Sequence, residues 1–124
     1  MAKPDELVFL PLGGVGEIGM NLALYGFGAP DKMQWIMVDC GVTFAGPDLP
    51  GVDLVLPDIS FIEERRANLK GIIITHAHED HYGALSDLWR GLNVPVYASP
   101  FTAGMLEAKR NYEQSRGEVP VTIF

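Results

Sequence analysis

The three histidines of this chain, His76, His78 and His81, lie within six consecutive residues, with Glu79 and Asp80 between the last two. Imidazole and carboxylate side chains are ligands for zinc, and manganese also accepts them. The alternative is a polar surface loop with chance histidines, but imidazoles crowded together repel one another when protonated. The cluster therefore predicts a divalent metal site.

The spacing within the cluster predicts two ions rather than one. His76 and His78 are two residues apart in an extended segment, so their side chains leave the same face and can converge on one ion. Asp80 and His81 are adjacent at the start of a helix and cannot both join the first pair at tetrahedral angles, so we expect them on a second ion. Two ions about 3.5–4 Å apart can share a hydroxide, which attacks phosphorus in a phosphoryl displacement or carbon in an acyl displacement.

A strand before the cluster and a helix after it must position these side chains. Residues 69–75 are apolar and rich in β-branched side chains, which is typical of a central strand in a parallel sheet. Residues 82–91 carry apolar side chains at helical spacing and predict an amphipathic helix. A short strand over residues 95–98 and a helix that begins at Pro100, capped by Ser99, are expected next.

A glycine-rich loop indicates a competing function, the binding of a dinucleotide. Gly14, Gly16 and Gly19 have the spacing of the dinucleotide-binding fingerprint, and Asp39 follows about 20 residues later, as the fingerprint requires. The fingerprint also requires a helix directly after the glycines. Residues 20–32 contain two further glycines and a proline, which leave too few residues for a crossover helix.

A hairpin explains the same segment better. We expect strands over residues 21–27 and 34–38, so the glycine loop becomes a tight connection between strands. Asp39 then ends the second hairpin strand, where an acid either forms a turn or orients metal ligands through hydrogen bonds. The neighbouring Cys40 is expected to be a small buried apolar side chain rather than a ligand.

The composition favours one globular domain in a reducing compartment. The chain has 124 residues, of which 48% are hydrophobic and 20% charged. No apolar run reaches the ~20 residues that cross a bilayer, the first residues do not resemble a secretory leader, and a single cysteine excludes an internal disulfide. The net charge of −7 has the wrong sign for a domain that binds nucleic acid over its whole surface. A polyanion would have to be held by metal ions or by basic residues outside this chain.

Two motifs resemble those of the metallo-beta-lactamase superfamily. Residues 75–81 contain its His-x-His-x-Asp-His signature, and residues 39–41 match its earlier Asp-x-Gly motif. Within the superfamily, the chain is similar to the ribonuclease J family of the β-CASP branch through residues 11–21, residues 51–60 and Glu79. The resemblance covers essentially the whole chain.

The resemblance implies an α/β (α+β) fold, the αββα sandwich of the superfamily, with a mixed sheet and flanking helices. Residues 1–124 would form the first half of that domain, without the β-CASP insertion and the C-terminal part. It also implies a cytoplasmic, zinc-dependent hydrolase that acts on RNA as a 5′-to-3′ exonuclease and as an endonuclease, in mRNA decay and rRNA maturation. The full-length protein would be a homo-oligomer, and no membrane partner is expected.

The resemblance also implies roles for individual residues. His76 and His78 would bind one zinc ion, Asp80 and His81 would bind the other and take part in catalysis, and Asp39 would orient these ligands. The family also requires a third histidine, a bridging aspartate and a late histidine, whereas no histidine follows His81. The isolated chain is therefore expected to bind zinc loosely and to show little nuclease activity.

Two other functions stay open. The chain could be another hydrolase of the superfamily that acts on a small thioester or lactone, or a non-catalytic module that binds a metal or a dinucleotide. Products formed from 5′-monophosphorylated RNA and from a thioester distinguish the two hydrolases. Metal content after reconstitution, together with a nicotinamide titration, tests the non-catalytic module.

Overall fold

The computed structural model describes residues 4–16, 19–44, 51, 54–75, 77–113 and 119–124. Its strands are β1 (Glu6–Gly13), β2 (Leu22–Gly28), β3 (Gln34–Val38), β4 (Thr43–Phe44), β5 (Leu54–Val55), β6 (Leu69–Ile73), β7 (Val96–Ala98) and β8 (Val121–Ile123). Its helices are α1 (Ser60–Glu63), α2 (Glu79–Tyr82), α3 (Leu85–Leu92) and α4 (Pro100–Glu113), with one 3-10 turn at Arg66–Asn68. Six of these strands form a mixed sheet of order β1-β2-β3-β6-β7-β8, and β4 pairs with β5 in a second, two-stranded sheet.

The first three strands form an antiparallel meander. Burial alternates along β2, where Leu22 and Leu24 are buried while Tyr25 and Phe27 are exposed. This period of two is expected of a strand with one covered face. The predicted hairpin is confirmed, and no helix occurs between residues 19 and 39, a segment that the structure describes in full. The segment therefore lacks the helix that dinucleotide binding requires.

Strand β6 lies inside the sheet and pairs in parallel with both β3 and β7. The prediction of a central parallel strand is confirmed. Parallel neighbours end at the same edge of a sheet, and here the backbone N–H of Asp39, after β3, donates to the carbonyl of Ile73, at the end of β6, at 2.8 Å. The segments that follow these two strands are thereby brought together.

Helices cover one face of the sheet. Ile62 of α1 and the α3 residues Leu85 and Leu92 are buried in one cluster with inward side chains of β2, β3 and β6. The ring of Phe61 meets Trp35 edge-on, with centroids 5.3 Å apart. Burial of a large apolar side chain contributes about 1.5–3 kcal/mol, so this cluster supplies the driving force that holds α1 and α3 on the sheet.

The opposite face of the meander is apolar and exposed. The pairing register places five large side chains on this face, Leu7, Phe9, Tyr25, Phe27 and Ile36. The rings of Phe9 and Tyr25 have centroids 5.2 Å apart. The other three, together with Tyr25, help to line a groove of about 240 Å³. Contiguous apolar surface of this kind is typical of a face that packs against another protein segment.

The predicted amphipathic helix over residues 82–91 is confirmed as α3, but it begins at Leu85 rather than near residue 82, since Tyr82 belongs to α2 and the helical structure breaks between the two helices. The N–H of Ala84 donates to the carbonyl of Cys40 at 2.9 Å, and the carbonyl of His81 accepts the N–H of Cys40 at 2.8 Å. These bonds join the end of α2 to the segment after β3. Helical periodicity carries no information about such distant partners, so the sequence pattern did not reveal the break.

The predicted helix at Pro100 is confirmed as α4. Ser99 Oγ accepts the backbone N–H of Thr102 at 3.3 Å, which is the arrangement expected of a helix cap. In the described part of the chain, no helix has the length and apolar character needed to cross a membrane.

Candidate metal centre

Asp39, which directly follows β3, is the buried acid next to the predicted metal ligands. The residue is 6% exposed and has a left-handed backbone with φ of 65°, a conformation that aspartate tolerates better than most residues. Its Oδ1 accepts the backbone N–H of Thr75 at 2.7 Å, and its Oδ2 accepts the Thr75 hydroxyl at 2.8 Å. A buried carboxylate is costly unless such donors satisfy it. Asp39 therefore ties the end of β3 to the residue that opens the histidine segment.

The second partner of Asp39 is His81. His81 Nδ1 lies 2.8 Å from Asp39 Oδ2. A carboxylate oxygen accepts, so His81 Nδ1 carries a proton in this contact, and in the neutral imidazole Nε2 keeps the lone pair. Histidines that bind metal ions commonly use this arrangement, because a carboxylate on one nitrogen orients the other nitrogen toward the ion.

The main chain reinforces this position of His81. Cys40 donates its N–H to the carbonyl of His81, in α2, and accepts the N–H of Ala84, which directly precedes α3, so the link between the two helices is hydrogen-bonded to Cys40. The Cys40 side chain is fully buried, as predicted. Burial, followed by the negative charges of Asp39 and Asp87, raises the pKa of the Cys40 thiol to about 12. The Cys40 thiol is therefore protonated near neutral pH.

The structure describes the other predicted site residues to different extents. His78 is exposed, and its carbonyl accepts the N–H of His81 at 2.9 Å and of Tyr82 at 3.1 Å, which forms the first turn of α2. His76 and the side chain of Asp80 lie outside the described residues. Among the side chains that the structure describes, no group of three or more His, Cys, Asp or Glu residues is arranged to hold an ion.

Thr75 and Asn21 are site residues to which the sequence pattern assigned no role. Thr75 supplies two donors to Asp39, and its position directly before the histidines is the only sequence signal for this function. Asn21 Nδ2 lies 3.5 Å from His81 Nε2, although the two residues are 60 positions apart. A separation of that size leaves no local pattern in the sequence.

Two classes of comparison identify the fold family. The model of the metallo-beta-lactamase superfamily matches residues 27–121. Among solved structures, a B3 metallo-beta-lactamase with an active-site glutamic acid superposes with a TM-score of 0.54 at 21% identity, over 98% of this chain and 45% of that one. Rubredoxin oxygen:oxidoreductase from Desulfovibrio gigas superposes with a TM-score of 0.52 at 17% identity, over 96% of this chain and 31% of that one. Structural similarity at these identities concerns the fold alone.

Curated relatives are more similar in sequence. Ribonuclease J of Sinorhizobium meliloti is 80% identical over all 124 residues, which correspond to 22% of that protein. Ribonuclease J 1 of Streptococcus pyogenes is 40% identical over 107 residues, which are 86% of this chain and 18% of the relative. The chain thus spans about a fifth of the length of these relatives. The α+β fold of the chain agrees with the match to the family model. The chain therefore belongs to the metallo-beta-lactamase superfamily.

Proposed function

We propose that the protein is a metal-dependent hydrolase of the ribonuclease J type, and that this chain supplies one side of its RNA-cleaving site. The observation that carries the proposal is the 80% identity to the Sinorhizobium meliloti ribonuclease J over every residue of the chain. The buried Asp39–His81 pair supports it, because that pair prepares an imidazole nitrogen for a metal ion. Among the hydrolases of the superfamily, this identity favours RNA over a small thioester or lactone as the substrate.

The residues present fit a divalent ion. His81 Nδ1 lies on Asp39, which leaves Nε2 of the neutral imidazole for an ion. Imidazole with carboxylate suits zinc, with manganese as the alternative. In this proposal His81 and Asp80 hold one ion, and His76 and His78 hold the other. A divalent ion supplies Lewis acidity, which stabilises negative charge that develops on phosphoryl oxygens.

The chain's own groups keep the site ordered. Thr75 donates to Asp39, and Asp39 accepts from His81, so the imidazole cannot turn without breaking a short bond to a buried carboxylate. The hydrogen bond from the Cys40 N–H to the His81 carbonyl fixes the backbone of His81. A site ordered before substrate binds does not have to reorganise during the reaction. We assign Asp39 and Thr75 to positioning, and we propose Asp80 and His81 as the residues that act at the reacting centre.

We further propose that residues 1–124 form the first part of a metallo-beta-lactamase domain. The other large sheet of that domain, formed by residues outside this chain, would pack on the apolar face of β1, β2 and β3. The support is the row of exposed apolar side chains on that face and the small share of each relative that the chain covers. The remaining metal ligands and the RNA-binding surface would then come from outside this chain. A net charge of −7 on these residues agrees with an RNA surface that lies elsewhere.

Our proposal also includes 5′-to-3′ exonuclease and endonuclease activity, zinc as the metal, a cytoplasmic location and a homo-oligomeric protein. The test uses the protein as the cell makes it, with RNA labelled at either end and carrying a 5′-monophosphate. We expect mononucleotides to be released from the 5′ end, together with internal cuts, and both activities to stop when a chelator removes the metal. A protein that carries zinc or manganese, leaves RNA intact and hydrolyses a thioester would overturn the proposal.

A further inference from the structure

The glycine loop, residues 13–19, connects β1 to β2, and the structure describes residues 13–16 and 19 of it. Glycine is required for packing at both ends of this loop. A Cβ on Gly13 would overlap the carbonyl oxygen of Met20, and a Cβ on Gly19 would lie 2.9 Å from Oγ1 of Thr43. The two ends of the loop are therefore held tightly against neighbouring segments of the chain.

The loop runs beside the predicted metal centre. A Cβ on Gly14 would lie 2.5 Å from Asn21 Oδ1, so the loop backbone touches the Asn21 side chain. The other terminal atom of that side chain, Nδ2, lies 3.5 Å from His81 Nε2. The width of one side chain thus separates Gly14 from the imidazole ring. Val15 is one Cα step of about 3.8 Å further along the chain.

The main chain after the loop fixes this arrangement. The N–H of Met20 donates to the carbonyl of Val42 at 2.9 Å, and the carbonyl of Asn21 accepts the N–H of Gly41 at 2.9 Å. Both partners lie within three residues of Asp39, whose carboxylate contacts His81. The end of the loop and the segment that positions His81 therefore form one hydrogen-bonded unit, which keeps the loop at the rim of the site.

The tip of the loop, Val15 and Gly16, faces open space. Val15 is 67% exposed. Gly16 is also exposed, with φ of +74°, and a Cβ there would meet no described atom within 4 Å. Packing therefore requires glycine at the ends of the loop, whereas at the tip the small side chain leaves the backbone accessible. Glycine at such a position allows another molecule to approach the backbone closely.

The chemistry of the tip suits a nucleoside. Residues 13–16 carry no charged side chain, so this part of the loop offers no ion pair to a phosphate. The valine side chain offers apolar surface, and its burial against a base or a ribose is favourable without a requirement for one base. A single exposed valine is ordinary on a protein surface. The position of Val15 beside the predicted metal centre is what gives it a use.

We propose that Val15 and Gly16 form a contact surface for RNA at the rim of the metal centre, with Val15 packed against a nucleoside next to the cleaved phosphate. The inference rests on the proposed function, because it requires RNA at this site. Gly16 lets the ribose-phosphate chain pass close to the loop, and Val15 supplies the apolar contact. Val15 binds substrate and takes no part in metal binding or bond cleavage, so its replacement should change KM rather than kcat.

The direction of each change in KM is set by charge. RNA is a polyanion, so Val15→Asp places a negative charge near phosphates and should raise KM about 5- to 20-fold. Val15→Lys places a positive charge there and should lower KM about 3- to 10-fold, a gain that shrinks as salt rises. Val15→Ala loses part of the apolar contact and should raise KM about 3-fold. A residue that only supported the fold would shift KM in the same direction in both charged variants.

The experiment measures kcat and KM for a 5′-monophosphorylated RNA oligonucleotide, in the protein as the cell makes it. The matched controls, Asn68→Asp and Asn68→Lys, make the same changes of charge at an exposed position directly before β6. This position lies at the opposite end of β6 from the histidines, and a strand of five residues is about 16 Å long. That distance exceeds the screening length of about 8 Å at physiological ionic strength, so both controls should keep the wild-type KM.

Metal analysis and circular dichroism establish that each variant binds metal and is folded, and Val15→Lys decides alone if Val15→Asp fails to fold. A raised KM in Val15→Asp and a lowered KM in Val15→Lys, with kcat unchanged and both Asn68 variants like the wild type, support the proposal. Wild-type KM in both folded Val15 variants, shifts of the same sign in both, or equal shifts in the Asn68 variants overturn it and leave the proposed function intact. Wild-type protein that leaves this RNA uncleaved contradicts the proposed function and the RNA contact together.

Discussion

Replacement of Thr75 by valine tests how the buried acid is held. Valine has nearly the shape of threonine but lacks the hydroxyl that donates to Asp39 Oδ2 at 2.8 Å. The backbone N–H of residue 75, which donates to Oδ1 at 2.7 Å, is retained. The substitution therefore removes one of the donors to a carboxylate whose residue is 6% exposed, and leaves the rest of the site in place.

The size of the effect follows from that contact. A hydrogen bond to a charged group contributes about 1.5–3 kcal/mol, and removal of one partner leaves the other with part of its desolvation cost. Thr75 is itself exposed, so water can reach the vacated position and the lower end of this range applies. We expect the free energy of unfolding of Thr75→Val to be about 1.5 kcal/mol below that of the wild type.

The assay is urea denaturation followed by tryptophan fluorescence, since Trp35 is buried in the core and reports its loss. Thr75→Ser keeps the hydroxyl and should stay close to the wild type. Thr122→Val makes the same chemical change at an exposed position of β8 and should alter stability by no more than about 0.5 kcal/mol. A Thr75→Val protein as stable as the wild type, or a Thr75→Ser protein as unstable as Thr75→Val, would refute the role assigned to this hydroxyl.

Three further predictions concern the acid, the thiol and the sheet. Asp39→Asn removes the carboxylate that accepts from His81, so zinc affinity measured by chelator competition should fall about 10- to 100-fold, and unchanged affinity would count against the positioning role. Because the pKa of Cys40 is raised from 9.0 to about 12 in the folded protein, the unfolded chain releases this proton first as pH rises. The stabilisation that the protonated Cys40 thiol gives to the folded protein is complete below pH 9 and declines between pH 9 and about 12. Wild type should therefore lose more free energy of unfolding than Cys40→Ala between about pH 8 and 10.5, and parallel pH profiles of the two proteins would contradict this. Gly71→Ala in β6 places a Cβ 2.9 Å from an aromatic ring of β7 and should lower the free energy of unfolding by about 1–3 kcal/mol. Gly104→Ala in α4 meets nothing within 4 Å and should raise it by up to about 1 kcal/mol. Urea denaturation measures both variants, and equal effects would contradict this packing.

The parts of the fold that the sequence predicted are those with a local signal. The hairpin of β2 and β3 follows from alternating apolar residues and from glycines that exclude a helix after the loop. The central strand β6 follows from its continuous β-branched run. The start of α4 follows from Ser99 and Pro100, whose preferences for the helix terminus are intrinsic to the residue types.

The parts that local patterns in the sequence could not predict depend on distant partners. Asp39 and His81 are 42 positions apart, so their hydrogen bond arises from the parallel pairing of β3 with β6 rather than from any nearby pattern. The division between α2 and α3 has the same origin, since the bonds from Cys40 to this segment are long-range. The approach of Asn21 Nδ2 to His81 Nε2 at 3.5 Å likewise joins residues 60 positions apart.

The sequence did predict the kind of chemistry, because a cluster of imidazoles and carboxylates is informative by composition alone. It also offered two readings of Asp39, a turn-former or a group that orients ligands. The geometry joins them, since Asp39 turns the backbone with a positive φ and holds His81 with its carboxylate. The assignment of this pair to a metal site is a proposal, and metal binding at His81 is the point at which it can be tested.

Anomalous diffraction from crystals of the zinc-loaded protein, in the form that the cell makes, tests the central claim most directly. We predict a zinc peak about 2.0–2.1 Å from His81 Nε2, with Nδ1 of the same ring still on Asp39. A zinc peak on Nδ1, or fully loaded protein with no zinc at His81, would contradict it.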